Sequence, residues 1–128
     1  MDFRVATFIN FYEQYISHSE KANDLPIHKE GLSENQEIRY KQLITYAQKN
    51  IDEIVLYIDQ NATNWKFSRI NSVEKVCLIL GTAELSMKLT KKEIIIAEWV
   101  KLADKHSSSE GAKFVNGVLE KINEDLNI

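Results

Sequence analysis

The residue types that most often catalyse reactions or bind metals are few in this sequence and widely spaced. The three histidines, His18, His28 and His106, lie far apart, and none has a second histidine or cysteine at the spacing that metal sites use. Surface or helix-capping roles are therefore favoured for all three. No serine sits in a nucleophile elbow, and no glycine-rich phosphate loop is present. The sequence predicts no catalytic residue, no metal site and no cofactor, so an enzyme is not expected.

Cys77 is the single cysteine of the chain, which excludes an intrachain disulfide or a cysteine-based zinc site. Its place on the apolar stripe of a predicted helix suits a small core residue. No apolar run approaches the roughly 20 residues that span a bilayer, and the N-terminus lacks the pattern of a secretory signal. We expect a soluble protein of the reducing cytoplasm with no membrane association.

The basic residues offer a second kind of chemistry, namely contact with phosphate. Lys88, Lys91 and Lys92 form the densest basic cluster, and Lys113 and Lys121 lie on the last predicted helix. Two interpretations remain open, a solvated face or a surface that contacts RNA phosphates. The formal net charge of −3 argues against a chain that binds nucleic acid strongly by itself, because such affinity comes largely from clustered Lys and Arg. If the chain binds RNA, a basic partner would have to supply part of the positive charge.

A glycine near the end of the chain is the most specific local feature. Residues 113–122 have the pattern of an amphipathic helix, and Asn116 and Gly117 stand side by side within it. Glycine inside a helix costs roughly 1 kcal/mol relative to alanine, so Gly117 indicates either a closely packed second backbone or a ligand surface pressed against the helix. On the first interpretation, Gly117→Leu should destabilise the fold.

The elements that must position these residues are predicted to be helices. The chain has 128 residues, 44% of them hydrophobic, with only four glycines and one proline, which favours one compact all-α domain over residues 1–128. Five residue pairs have capping-box spacing and predict helix starts. They are Ser33 with Gln36, Asn50 with Glu53, Asn71 with Glu74, Thr90 with Glu93, and Ser107 with Glu110.

The spacing of apolar residues predicts the remaining helix and loop boundaries. The first helix is predicted over about 2–18, a loop over 23–32, and a helix boundary of uncertain position between 45 and 65. Residues 94–96 could form a strand by themselves, but the following apolar spacing favours a helix. Trp65 and Trp99 are interpreted as core or interface anchors.

The segment Lys113-Phe-Val-Asn-Gly-Val-Leu-Glu-Lys-Ile122 resembles the closing helix of the NusB family of bacterial transcription antitermination factors. Further similar segments follow the family's order and spacing over roughly half the chain. They are Trp65-x-x-x-Arg69-Ile70, Val73-Glu74-Lys75-x-x-Leu78-x-Leu80-Gly81-x-x-Glu84-Leu85, Ile94-Ile95-Ile96-Ala97-Glu98-x-Val100-x-Leu102-Ala103, and Arg4 with Phe8 and Tyr12.

The resemblance implies two small packed three-helix bundles and a non-catalytic function. With NusE, a basic ribosomal protein of the small subunit, the chain would bind boxA-like RNA in nascent ribosomal RNA and help assemble an antitermination complex on RNA polymerase. The RNA-binding positions that it implies are Arg4, Lys113, Asn116 and Lys121. The positions implied for NusE are Tyr12, Glu84 and Glu120, where opposite charge would steer the encounter. A monomer and a homodimer both fit the family.

Departures from the family pattern leave other interpretations open. Family members usually carry several arginines just before the position of Arg4, whereas only Met1, Asp2 and Phe3 precede it here. We therefore expect weak RNA binding by the chain alone, and an interaction module that has kept the fold with little or no RNA binding is the alternative. A helical extension of an RNA cytosine methyltransferase shares the fold, but no catalytic domain accompanies it in this sequence.

Overall fold

The computed structural model describes residues 2–16, 30–63 and 66–127, and within these ranges it contains six α-helices and no β-strand. The helices are α1 (Phe3–Ile16), α2 (Glu34–Lys49), α3 (Ile51–Asn61), α4 (Ser72–Met87), α5 (Lys92–His106) and α6 (Ser109–Leu126), with a short 3-10 helix at Phe67–Arg69. The all-α prediction is confirmed, including the helical assignment of residues 94–96. His18, His28, Trp65 and most of the loop expected over 23–32 lie outside the described residues.

Helix α4 lies at the centre of the fold and contacts all five other helices. It packs with α5 and α6 as one three-helix bundle, while α1, α2 and α3 cover its other side. Ten consecutive residues of α4, 76–85, are buried, as expected for a helix that is surrounded on all sides. The two packed three-helix bundles implied by the family resemblance are thereby confirmed.

Side-chain caps explain where three of the helices begin. The Ser33 hydroxyl accepts a hydrogen bond from the Gln36 amide at 3.2 Å, and Asn71 Oδ1 accepts one from the Val73 amide at 2.9 Å. Both predicted caps are confirmed. The cap of α6 is displaced by one residue, because Ser108 rather than Ser107 accepts from the Gly111 amide, at 2.9 Å.

The predicted caps at Asn50 and Thr90 are wrong. Asn50 separates α2 from α3, but its side chain donates back to the Tyr46 carbonyl at 3.0 Å instead of capping α3. The Thr90 hydroxyl accepts from Arg39 Nη2 at 2.9 Å, and the residue that precedes α5 is Lys91, whose side chain makes no capping hydrogen bond. In both places the side chain that was predicted to cap a helix forms a hydrogen bond with another group. For Asn50 this is the Tyr46 carbonyl, and for Thr90 it is the Arg39 guanidinium.

The centre of the core contains Trp99 and Cys77, both fully buried, which confirms their predicted structural roles. Burial, together with the nearby charge of Glu74, raises the pKa of the Cys77 thiol to about 12. The thiol therefore stays protonated at neutral pH and behaves as a small apolar side chain.

A close contact between two helices occurs at Gly81 on α4. A Cβ atom built there would lie 2.9 Å from Leu119 Cδ1 of α6, which is closer than carbon atoms normally approach. Glycine at position 81 thus allows α4 and α6 to pack tightly, with the Leu119 side chain covering the α4 backbone.

Candidate nucleic-acid interface

Arg4, expected on an RNA-binding surface, lies in the interior instead. Its guanidinium makes a bidentate ion pair with Glu84. Arg4 Nε donates a hydrogen bond to Glu84 Oε1 at 2.8 Å, and Nη2 donates one to Oε2 at 2.6 Å. Only 7% of Arg4 and 4% of Glu84 are exposed. The Trp99 indole adds a third donor, with Nε1 at 2.9 Å from Glu84 Oε1. This buried triad, defined by Arg4, Glu84 and Trp99, joins α1, α4 and α5.

Two of the positions that the family resemblance implies for binding lie in this triad. Arg4 was expected to bind RNA and Glu84 to bind a protein partner, but each carries a charge that the other neutralises away from solvent. A buried ion pair that loses one partner leaves an uncompensated charge, so neither residue is available to a ligand without disrupting the core. The sequence did hold a signal for this, since Glu84 is the only charged residue within the buried run 76–85 of α4.

The outer face of α6 carries the other predicted RNA-binding residues. Lys113, Asn116 and Lys121 are all exposed, and neither lysine has a carboxylate partner among the described residues. Gly117 lies between them, and a Cβ atom built there would meet nothing within 4 Å. The prediction that Gly117 packs against a second backbone is therefore wrong. The helix backbone is open to solvent at this point, as a ligand-contacting surface requires.

The predicted basic cluster lies beside this face. Lys88, Lys91 and Lys92 are exposed in the turn that joins α4 to α5 and at the start of α5. Lys92 Nζ lies 3.8 Å from Glu120 Oε2 on α6, so the turn and the outer face of α6 adjoin. The structure thus brings together basic side chains that are separated by about 20 to 30 residues in the sequence.

The predicted partner residue Tyr12 belongs to a different surface. Its ring is half-buried and stacks with Phe8 at a centroid distance of 5.9 Å, and Phe8 stacks on His106 at 5.4 Å. His106 ends α5, as expected for a residue that complements the negative end of a helix. Phe8, Tyr12 and His106 form what we call the aromatic cluster.

Tyr12 and Glu120 therefore do not share one compact patch. The aromatic cluster adjoins the last residue of α5, whereas Glu120 pairs with Lys92 in its first turn. The rise of an α-helix puts these two ends about 20 Å apart. A protein that contacted both residues would have to extend along the length of α5.

Among the described residues, no group of three or more His, Cys, Asp or Glu side chains is arranged to hold a metal ion. None of the described helices is long and apolar enough to cross a membrane.

The chain is similar in sequence to known proteins. The transcription antitermination protein NusB of Fusobacterium nucleatum subsp. nucleatum is 37% identical over 91 residues, an alignment that covers 71% of this chain and 60% of that protein. The chain thus matches less than two thirds of the length of that relative.

Solved structures show the same fold. A crystal structure of the antitermination factors NusB and NusE in complex with double-stranded RNA gives a TM-score of 0.84 at 26% identity, covering 96% of this chain and 94% of the matched one. The Thermotoga maritima NusB structure gives 0.87 at 24% identity, covering 96% and 89%. A profile of the NusB family matches residues 5–124, which is nearly the whole chain, and the chain therefore belongs to the NusB family.

Proposed function

We propose that this chain is a non-catalytic transcription antitermination factor of the cytoplasm. Together with NusE it would bind boxA-like RNA in nascent ribosomal RNA transcripts and help assemble an antitermination complex on RNA polymerase. The observation that carries the proposal is the outer face of α6, where Asn116 and the open backbone of Gly117 lie between two exposed lysines. The solved complex of NusB and NusE with double-stranded RNA supports the same assignment.

The chemistry of this face suits RNA. Lys113 and Lys121 supply positive charge for phosphates, and Asn116 supplies an amide that can both donate and accept hydrogen bonds. Because Gly117 has no side chain, a sugar or a phosphate can approach the helix backbone more closely there than at any bulkier residue. The lysines of the α4–α5 turn extend the basic surface beyond α6.

The same charges explain why a partner is needed. The formal net charge is −3, and the guanidinium of Arg4 is bound to Glu84 rather than facing solvent. Few phosphates can then be neutralised by the chain alone, which limits affinity through the small number of counterions released. A basic protein such as NusE would add the missing positive charge.

The partner contact is proposed at the aromatic cluster and at Glu120. Tyr12 is half-buried, so its ring presents apolar area with a polar hydroxyl, a combination that is common where proteins bind one another. Glu120 lies on α6 beside the first turn of α5. It is exposed and could contact basic groups of the partner there.

Fluorescence anisotropy with a labelled boxA-like RNA tests the function. We expect weak binding by the chain alone and at least tenfold tighter binding when NusE is added, with a steeper dependence on salt concentration. The double variant Lys41→Ala/Lys49→Ala, which removes two exposed lysines from α2, is the control for net charge and should leave binding unchanged. Tight, steeply salt-dependent binding by the isolated chain would contradict the need for a partner.

The second candidate is a protein-interaction module that uses the NusB fold with little or no RNA binding. The burial of Arg4 favours it, because this conformation withdraws one cation of the family motif from the surface. Failure of the chain to bind boxA-like RNA even in the presence of NusE, with the two proteins still associating, would support this candidate over the first.

A further inference from the structure

A polar cavity of about 230 Å³ lies where the α4–α5 turn meets the end of α6. Its polar lining comes from Lys88, Thr90 and Lys92 on one side and from Asn123 and Asn127 on the other. Two segments that are distant in sequence thus meet around one small space. The size fits a single tetrahedral anion with its hydration.

One wall of the cavity is the start of α5. The first amides of an α-helix have no partner within the helix, and they carry the positive end of its dipole. Lys91 precedes the helix without making a capping hydrogen bond, and the Thr90 hydroxyl accepts from Arg39 instead. The first turn of α5, whose Lys92 lines the cavity, therefore has no side-chain acceptor for its amides, an arrangement that suits a bound anion.

The opposite wall holds an amide that the protein itself does not satisfy. Asn123 is only 8% exposed and lines the cavity, yet it makes no hydrogen bond to any described residue. Asn61, which is buried to a similar degree, bonds both the Tyr57 carbonyl and Asp125. Among the described residues, Thr82 Oγ1 is the one buried side-chain polar atom without a hydrogen-bond partner, so the Asn123 amide is itself reached by solvent from the cavity. Its oxygen and nitrogen are therefore available to accept from or donate to a molecule bound there.

The charges around the cavity favour an anion. Lys88 and Lys92 line it, and Arg39 lies behind it through its bond to Thr90. The Glu120 carboxylate opposes this charge at 3.8 Å from Lys92 Nζ, and both side chains of this pair are nearly half exposed. Lys88 also has a left-handed backbone with φ of 57°, an uncommon conformation for a lysine that fixes where its side chain leaves the turn.

From these observations we propose that the cavity is a phosphate-binding site that receives one phosphate of the RNA backbone. The site adjoins the outer face of α6, because Lys92 contacts Glu120 there. The RNA would pass from Lys121 and Gly117 to the α4–α5 turn, with one phosphate held by the first amides of α5, Asn123 and the two lysines. This proposal rests on the RNA-binding function proposed above.

The first experiment titrates the isolated chain with inorganic phosphate and follows its amide NMR signals. We expect the largest shifts at the backbone amides of Lys92 and Glu93 and at the side-chain amide of Asn123. Lys88→Gly should weaken this binding severalfold while keeping the fold, because glycine adopts the left-handed conformation without strain. Lys105→Ala removes the same charge from the far end of α5 and should have no effect. Shifts that are absent, or that do not involve these groups, would overturn the proposal.

The second experiment measures binding of boxA-like RNA to the complex with NusE across a salt series. Lys88→Gly should lower affinity by about five- to tenfold and reduce the salt slope by nearly one, as for loss of one phosphate contact. Asn123→Leu should lower affinity while retaining the lysines, and Lys105→Ala should match the wild type. If inorganic phosphate binds but these RNA affinities do not change, the site is not an RNA site. If the wild-type complex binds no RNA, the proposed function fails, and the phosphate titration still tests the cavity.

Discussion

Two glutamates show how differently this molecule uses its polar residues. Glu84 lies at the centre of the fold, where it accepts hydrogen bonds from Arg4 and Trp99. Glu120 lies on the outer face of α6, where its only described ion pair is a loose one of 3.8 Å with Lys92. In water the attraction between two charges is weak, whereas in the interior each charge depends on its partner. The Glu84 charge is therefore tied to its buried partners, whereas the Glu120 carboxylate remains exposed.

The two regions also differ in what glycine does. Gly81, near the buried triad on α4, removes a side chain so that another helix can approach. Gly117, on the outer face of α6, removes a side chain where no part of the described protein approaches. Glycine costs helix stability at both positions, but only at position 81 does packing within the protein offset that cost. At position 117 no packing within the described protein offsets it, and this open backbone is where we propose that RNA approaches.

The largest expected effect separates the two glutamates. Glu84→Ala should lower the free energy of unfolding by about 3 to 5 kcal/mol, because it leaves the charge of Arg4 buried without a partner. Glu120→Ala makes the same chemical change at an exposed pair and should cost no more than about 1 kcal/mol. Urea unfolding followed by circular dichroism measures both. Similar losses for the two variants would contradict the assignment of Arg4 and Glu84 to the interior.

The second comparison places the same substitution at the two glycines. Gly81→Leu should destabilise the protein by about 1 to 3 kcal/mol or more, since the new side chain would collide with Leu119. Gly117→Leu should leave the melting temperature unchanged or raise it, because leucine is the better helix former and meets no neighbour. A lower melting temperature for Gly117→Leu would show that this face is packed. The same variant should nevertheless weaken RNA binding.

A third prediction concerns the outer face of α6 alone. The double variant Lys113→Ala/Lys121→Ala should weaken binding of boxA-like RNA to the NusE complex by about tenfold or more and reduce the salt slope by one to two. Its stability should stay within about 0.5 kcal/mol of the wild type, as for most surface substitutions. Anisotropy and thermal melting together give both quantities. Unchanged RNA affinity would remove this face from the interface.

The smallest expected effect tests the aromatic cluster. Tyr12→Asp should weaken NusE binding by about fivefold or more, or roughly 1 kcal/mol, because it replaces an aromatic contact with a charge. Tyr46→Asp places the same change at another half-buried tyrosine, on α2, and is the matched control. Isothermal titration calorimetry measures the affinities, with helicity checked for each variant. Equal affinities for wild type and Tyr12→Asp would exclude this surface.

The helices and the family could be predicted from the sequence because both are recognised from local patterns of residues. The helical spacing of α4, α5 and α6 and the caps at Ser33 and Asn71 follow from short-range pattern, and the structure confirms them. The caps at Asn50 and Thr90 were wrong because each side chain finds another hydrogen-bond partner. For Thr90 that partner is Arg39, about 50 residues away, which no local spacing reveals.

The sequence by itself determined an all-α chain of the NusB family whose last helix carries lysines and an asparagine. Only the tertiary structure decided which polar residues face solvent. Arg4 and Glu84 are 80 residues apart, and their pairing depends on how α1 packs against α4. The choice between packing and exposure at Gly81 and Gly117 likewise depends on whether another helix lies opposite. Hydrophobic periodicity marks the face of a helix that is buried, but it does not specify what that face meets.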